Sequence, residues 1–449
     1  MPHTQQLIPA IVMGLILIVA GRGPVVAIAG PPKQPPAEDG EREDVLRVVR
    51  SKNFHILTDL PEKEAEQLSA RLETMLRLIA AYWGRPHRGV IQMYVVEDFS
   101  RWPAEQIAQM DPNGVRSVRQ GGGLTVSRTL VSGNAFQSSA VVYAVADGGT
   151  PQHEAVHAYC THAFGTCGPV WYAEGMAEVG NYWQAEDDKS VQAPPQVIRF
   201  LRHGEVKPLQ AIVDNPLESS GDSWQSYASR WALCHLLGHN SNYTQRFKPL
   251  GLQLLDLSAR DVSFWQVYGS HAEEIEFEYR MFLQQIEPGY RVDLCSWDWK
   301  TKFTPSRGGR PLVSKIAADR GWQASRIHLV AGTLYEYAAE GNWTFAPDGP
   351  SINADGTDNG TGRLIGTVFT SYELSGPFDL GTSGSFTAPA TGDLYVRCRD
   401  DWGQIADNSG TLTVRIKPVD RGRPLSGRNL ARPAGPSLKD DAAPDQPGR

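Results

Sequence analysis

Cysteine is scarce in this chain of 449 residues, with only Cys160, Cys167, Cys234, Cys295 and Cys398. Five is too few for a disulfide-built scaffold, and an odd number leaves at least one thiol unpaired. A bilayer-spanning run is also missing: Leu7 to Gly21 is apolar for 15 residues, short of the roughly 20 a transmembrane helix needs. No cysteine follows that run where a lipoprotein would carry one, so a lipid anchor is not expected. There is no basic excess either. A net charge of -7 gives a nucleic acid nothing to bind, so none is expected as a partner. What remains, 41% hydrophobic and 21% charged residues, describes a soluble chain long enough for two or three domains.

The apolar run is followed by Ala27-Ile28-Ala29-Gly30, which has the small-x-small form of a signal-peptidase site. Residues 1–29 therefore read as a signal peptide, and export to a periplasmic, cell-surface or extracellular compartment follows. Met1 to Gln6 contain no lysine or arginine, so an uncleaved anchor, with the membrane as partner, stays open. Residues 30–44 are rich in proline and charge and read as a disordered linker; residues 419–449, with proline, glycine and charge, read as a disordered tail.

Chemistry concentrates in Thr150-Pro151-Gln152-His153-Glu154-Ala155-Val156-His157. Positions i and i+4 share one face of an α-helix, so His153 and His157 can address one metal ion, with Glu154 beside them. Thr150 suits a helix cap and Pro151 a first helical position, so a helix start is expected here. By itself the motif is also compatible with two solvated histidines on a surface helix.

The third ligand decides between these readings. His162 lies five residues after His157, about 140° around a continuing helix, and should face elsewhere. The pattern with a third histidine, H-E-x-x-H-x-x-G-x-x-H, fails at Cys160 and Ala163. Gly165, Gly168 and Pro169 break the helix and let a second one return with Glu174 in Trp171-Tyr172-Ala173-Glu174-Gly175-Met176-Ala177-Glu178. Two imidazoles and a carboxylate leave one tetrahedral zinc position open for water. Glu178, one turn beyond Glu174, is expected behind the metal, holding a ligand histidine through its other ring nitrogen. Cys160 and Cys167 flank the break; a local bridge and a pair of small buried residues are both compatible with them.

These two motifs resemble the gluzincin metallopeptidases, and more narrowly the peptidase-MA-like exported proteins whose second motif is W-x-x-E-G-x-A-E. The resemblance spans roughly residues 45–285. It implies an α+β, thermolysin-like metallopeptidase domain, with a sheet over the helix that carries the first two ligands. In gluzincin aminopeptidases a tyrosine in Y-x-K-G-x-x-x-L donates to the developing oxyanion; Tyr227 stands at the similar place, with Ser229 and Arg230 replacing the K-G. A packing tyrosine is the alternative, and for His235, two turns on, packing is the expectation. Gly121-Gly122-Gly123-Leu124-Thr125 lacks the acid that the aminopeptidases keep near G-x-M-E-N, which points away from an aminopeptidase.

Strands are expected at 53–58, 90–96, 124–131 and 140–145, helices at 61–83 and 223–237, and an aromatic-rich helical segment at 262–286. One of the strands could receive a peptide substrate along its edge. The boundaries read as a peptidase-like domain over 45–290, a linker over 291–309 and an all-β sandwich over 310–418.

In that last region the segments 321–332, Gly341-Asn342-Trp343 and 407–414 resemble the β-sandwich of bacterial calcium-dependent galactose-binding lectins. The resemblance implies calcium at Asp400, Asp407 and Asn408 with a carbohydrate completing its shell. Asp407 stands where that family has asparagine, and a sandwich of this kind can also serve as a spacer. The function expected from the whole chain is zinc-dependent hydrolysis of a peptide or protein substrate, with Glu154 as general base. The rivals are an exported carbohydrate- or surface-binding protein with a vestigial metal site, and an assembly protein with structural zinc.

Overall fold

The structure is a computed structural model that describes residues 46–132, 135–184, 189–214, 224–259, 261–306 and 309–419. The segments 1–29 and 30–44, and the tail from 420, lie outside the described residues. Two compact units divide the chain between Pro288 and Gly289.

The first unit is mixed α+β. Its strands are β1 (Arg47–Arg50), β2 (Phe54–Thr58), β3 (Ile91–Val96), β4 (Gly123–Ser132) and β5 (Ala135–Val145). They form one sheet in the order β1-β2-β3-β5-β4, parallel between β2 and β3 and between β3 and β5, and antiparallel at the two outer pairings. The helices are α1 (Glu62–Trp83), α2 (Ala104–Ala108), α3 (Pro112–Arg119), α4 (Thr150–Phe164), α5 (Val170–Tyr182), α6 (Pro195–His203), α7 (Leu209–Val213), α8 (Trp224–His239), α9 (Thr244–Leu254), α10 (Phe264–Tyr268) and α11 (Ala272–Gln285).

Local sequence accounts for most of these boundaries. In α1 the stripe Leu68, Leu72, Met75 and Leu76 is buried, and Gly84 stops the helix in the left-handed conformation. Strand β5 starts five residues earlier than its apolar run, because antiparallel pairing with β4 carries it beyond β3. The aromatic segment divides into α10, opened by a Ser263–Gln266 capping box, and α11.

Helix α4 carries the first motif and is buried on nearly every side; of its fifteen residues, Thr150, His162 and Ala163 are the ones left partly open. Its N-cap is Gly149, not Thr150, which occupies the first helical turn with Pro151. Gly165 closes α4 at φ 78°, Gly168 turns again at φ 80° and Pro169 caps α5. The return is fixed by Gln152, whose Nε2 donates to the backbone oxygens of Gly180 at 2.7 Å and Trp183 at 3.0 Å. Close approach needs small residues: a side chain at Gly180 would meet Val156 Cγ2 at 2.6 Å.

The second unit is a β-sandwich-like region. One sheet runs β11 (Glu373–Leu374), β10 (Leu364–Thr370), β14 (Gly392–Cys398), β7 (Gln323–Leu329), with β12 (Phe378–Asp379) also on β10. The other runs β13 (Ser383–Thr387), β8 (Leu334–Glu340), β15 (Ser409–Pro418), β6 (Leu312–Ala317), with β9 (Trp343–Thr344) also on β15. Alternate residues of both, including Ile316, Leu329, Leu364, Leu394 and Val414, make one core.

Of the segment 291–309, expected as a linker, the described residues 291–306 pack into this second unit. Trp297 is 3% exposed and its ring lies 4.0 Å from that of Tyr395 on β14. Burying a tryptophan side chain is worth a few kcal/mol, which ties the segment to the sandwich.

Candidate metal centre

Three side-chain atoms from two helices converge in the first unit. His153 Nε2 and His157 Nε2 are 3.1 Å apart, and Glu174 Oε2 lies 3.3 Å from the first and 3.4 Å from the second. A tetrahedral zinc ion with bonds of about 2.0–2.1 Å separates its ligand atoms by about 3.3–3.4 Å, so the three atoms have the spacing of one face of that tetrahedron. Glu174 Oε2 is buried, and the polar atoms it faces are these two imidazole nitrogens. A carboxylate oxygen in that position is costly unless something supplies positive charge. The group His153, His157 and Glu174 is thus a buried set that could hold a metal ion.

Each ligand has its own support. The far nitrogen of His153, Nδ1, is 2.9 Å from Glu178 Oε1, and Asn181 Nδ2 donates to both oxygens of Glu178 at 3.2 and 3.1 Å. Asn181 is itself packed against Gly149, where a Cβ would collide with its backbone and side-chain oxygens. His157 has a sulfur neighbour, since Cys167 Sγ lies 3.5 Å from its backbone oxygen.

Charge follows from these contacts. Burial alone would depress both imidazoles; Glu174, with Glu178 on the His153 side, reverses this, raising His153 to about 10 and His157 well above its ordinary value. Glu174 is correspondingly held far below the usual carboxylate range against its own burial. The pocket is therefore suited to positive charge, which protons supply in the metal-free chain and which a divalent ion is able to supply in their place.

Glu154 lies on the same helix but turns toward the sheet. Thr125 Oγ1, on the outermost strand β4, is 2.7 Å from Glu154 Oε2 and 2.9 Å from its backbone oxygen. Burial pushes the Glu154 carboxyl up, the direction that suits a group exchanging protons near neutrality. Room for it comes from Gly123, where a Cβ would meet Glu154 Cγ at 2.7 Å and Oε1 at 2.8 Å. The ring of Tyr227, at the start of α8, stands edge-on to His153 with centroids 6.0 Å apart.

Not every candidate joins this site. His162 turns away as its helical angle requires and stacks on His87, centroids 5.3 Å apart. His235 is buried on α8 between Trp231 and Phe282. In the second unit Asn408 Nδ2 donates to the Ala318 backbone oxygen at 3.4 Å, and Asp400 Oδ2 and Asn408 Oδ1 are buried oxygens without a hydrogen-bond partner. Asp407 is exposed on a single turn, Ile405–Asp407. Arg397, stacked 3.5 Å over Trp402, donates to the Asp400 backbone oxygen; a fixed cation there opposes a calcium ion.

Thr125, Gly123, Asn181 and Cys167 were not anticipated as parts of the site. The run of three glycines before Thr125 was the available signal for the first two, since it marks a place where another element comes close.

No family model and no curated protein matches this chain. Among solved structures, the EclA N-terminal domain, a PllA-like lectin, is similar at 19% identity over 24% of this chain and 96% of that domain, with a TM-score of 0.19. PliG of Aeromonas hydrophila, a periplasmic inhibitor of g-type lysozyme, is similar at 12% identity over 26% of this chain and 95% of its own, with a TM-score of 0.15. Similarity that slight carries no argument about fold or activity. The chain is defined by its own features: a mixed α+β unit with a buried His-His-Glu group able to hold a metal ion, followed by a β-sandwich-like unit.

Proposed function

We propose that the first unit is an exported zinc-dependent peptidase of the gluzincin type, with zinc held by His153, His157 and Glu174. The observation that carries this reading is the 3.1–3.4 Å triangle of ligand atoms with the buried Glu154 one residue from its first corner. A zinc ion bound there supplies Lewis-acid polarisation of a carbonyl and makes water acidic near neutral pH. Glu154 takes the proton from the attacking water and returns it to the departing amine, while Thr125 fixes the direction of its carboxylate.

Peptide positioning falls to β4. It is the last strand of the sheet, and its residue Thr125 touches Glu154. An extended peptide that adds to the free edge of β4 brings a scissile bond alongside the metal centre through main-chain hydrogen bonds. Tyr227, beside His153, is assigned to the developing oxyanion.

The test is hydrolysis of a broad peptide mixture by purified protein with its zinc content measured, beside Glu154→Gln. Zinc retained and hydrolysis reduced about 10²–10⁴-fold in the variant supports the reading. An inactive zinc-loaded parent favours the rival, a carbohydrate- or surface-binding protein with vestigial or structural zinc.

A further inference from the structure

Strand β5 outruns one of its two neighbours. It pairs with β3 only from Val141 onward, whereas residues 135–140 pair with β4 alone. Among the described residues no strand covers their other edge, a stretch of about 20 Å at about 3.4 Å per residue. None of these residues is charged or proline, the usual guards of an open edge. The chain before β3 is kept from filling the gap. Pro86 has no N–H to offer a ladder. Tyr159 Oη donates to the Arg85 backbone oxygen at 2.7 Å, and Arg85 Nη1 donates to the Ala163 backbone oxygen at 3.1 Å, with its guanidinium 4.9 Å from the centroid of the Phe164 ring.

A cavity of about 900 Å³ occupies this notch. Phe136, Ser138 and Ser139 line it from β5, and Arg85, Arg88 and His162 line it from the loop before β3 and the end of α4. His162 is held there by its stack on His87, centroids 5.3 Å apart. No acidic residue lines the cavity, and neither arginine forms an ion pair among the described residues. Arg85 has further N–H donors beyond the one given to Ala163. Two guanidinium groups without a counter-ion, beside an uncovered strand edge, suit a chain that brings both carboxylates and backbone amides.

We propose that the notch is a binding site for an extended, acidic peptide segment, which adds to β5 as a strand and sets its carboxylates against Arg85 and Arg88. Backbone hydrogen bonds to residues 135–140 supply affinity that does not depend on sequence, and the two arginines select acidic side chains. Ala163 lies six residues beyond His157, about 9 Å along the axis of α4. The notch opens on the β3 side of β5, away from the outer edge of β4 assigned to the scissile peptide. The site is therefore independent of the metal centre, and it stands or falls without it.

The experiment follows the fluorescence anisotropy of a labelled, end-blocked peptide of alternating valine and glutamate with full-length protein, in the presence of a chelator so that metal-dependent cleavage does not intervene. The same peptide with glutamine for glutamate, and a fully N-methylated version, are measured beside it. The expected result is saturable binding by the parent, weakened about tenfold or more by Arg88→Glu and by the glutamine peptide, and lost on N-methylation. Arg88 is exposed, so an unchanged Tm is expected to accompany the weaker binding. Arg88→Gln, the smaller change, should weaken binding in the same direction. No saturable binding by the parent, or binding unchanged in both Arg88 variants, overturns the proposal. Retention of the N-methylated peptide, with displacement by inorganic phosphate at constant ionic strength, would reveal a simple anion site and overturn it as well.

Discussion

His153 is held at both ring nitrogens, with Glu178 Oε1 2.9 Å from Nδ1 and Glu174 Oε2 3.3 Å from Nε2. Of these two carboxylates, Glu178 touches only the side of the ring away from the candidate metal position. It fixes the tautomer that leaves Nε2 free to coordinate. Glu178→Ala should therefore weaken zinc binding about 10–100-fold, read by chelator competition. Glu178→Gln keeps an amide oxygen that can accept from Nδ1–H and should lose less. Equal zinc affinity in all three proteins would remove Glu178 from the site.

Gly123 and Glu154 make a second pair that can be separated from metal binding. A Cβ at position 123 meets Glu154 Cγ at 2.7 Å and Thr150 Cγ2 at 2.9 Å, whereas one at Gly122 meets nothing nearer than 3.6 Å. Gly123→Ala should displace the Glu154 carboxylate, lowering kcat at least about tenfold, with zinc stoichiometry unchanged. Overpacking of this kind also costs about 1–3 kcal/mol of stability. Gly122→Ala is the matched control and should do neither.

What could be read from the residues alone was what repeats within one helix or breaks one. The i, i+4 histidines and the Gly165–Gly168–Pro169 break state their geometry locally, so the convergence of His153, His157 and Glu174 was legible. The Thr125–Glu154 contact was not, because it depends on how a strand 29 positions away registers against α4. The same holds for the His87–His162 stack and for Cys167 at His157. The segment 291–309 was misjudged for a different reason: its composition is polar overall, and the two tryptophans that anchor it, Trp297 and Trp299, find their partners on Phe369 and Tyr395 far along the chain.

Protons and metal compete for the same pocket, which sets a pH dependence. In the metal-free chain His153 rises to about 10. Its protonated form then stabilises the fold fully below the unfolded value of about 6.5, and that contribution fades as pH climbs toward 10. Zinc requires the neutral ring and must displace the proton. Zinc affinity should rise by about tenfold per pH unit for each proton displaced between pH 6 and 9, with proton release visible as a calorimetric enthalpy that changes with the buffer. An affinity flat across that range would contradict the geometry given to His153.

Buried histidines away from the metal work in the opposite sense. Burial lowers His87 to about 4, with His162 beside it, and holds His235 well below the ordinary value. A folded value below the unfolded 6.5 means that the neutral ring contributes stability above about pH 6.5 and that this is lost as pH falls toward 4. Chelated protein should therefore lose Tm between pH 6.5 and 4, and His235→Gln or His87→Gln should flatten that limb. A slope unchanged in both variants would assign the acid transition to carboxylates instead.

Gly175, next to the candidate ligand Glu174, tests whether the proposed metal centre depends on how closely α5 approaches α8. A Cβ there collides with Cys234 Sγ and meets the Arg230 backbone oxygen at 2.8 Å. The sulfur can be removed by substitution, but the carbonyl belongs to the α8 backbone and can move only with the helix. Gly175→Ala should push α5 outward, costing about 1–3 kcal/mol and drawing Glu174 off the imidazole pair, so that Tm and zinc affinity fall together. Adding Cys234→Ala should restore part of the Tm, with the remainder set by Arg230. Full recovery in the double variant would show that α5 sits against α8 through one side chain and has slack elsewhere, and a fall in Tm with zinc affinity untouched would show that Glu174 does not depend on that contact.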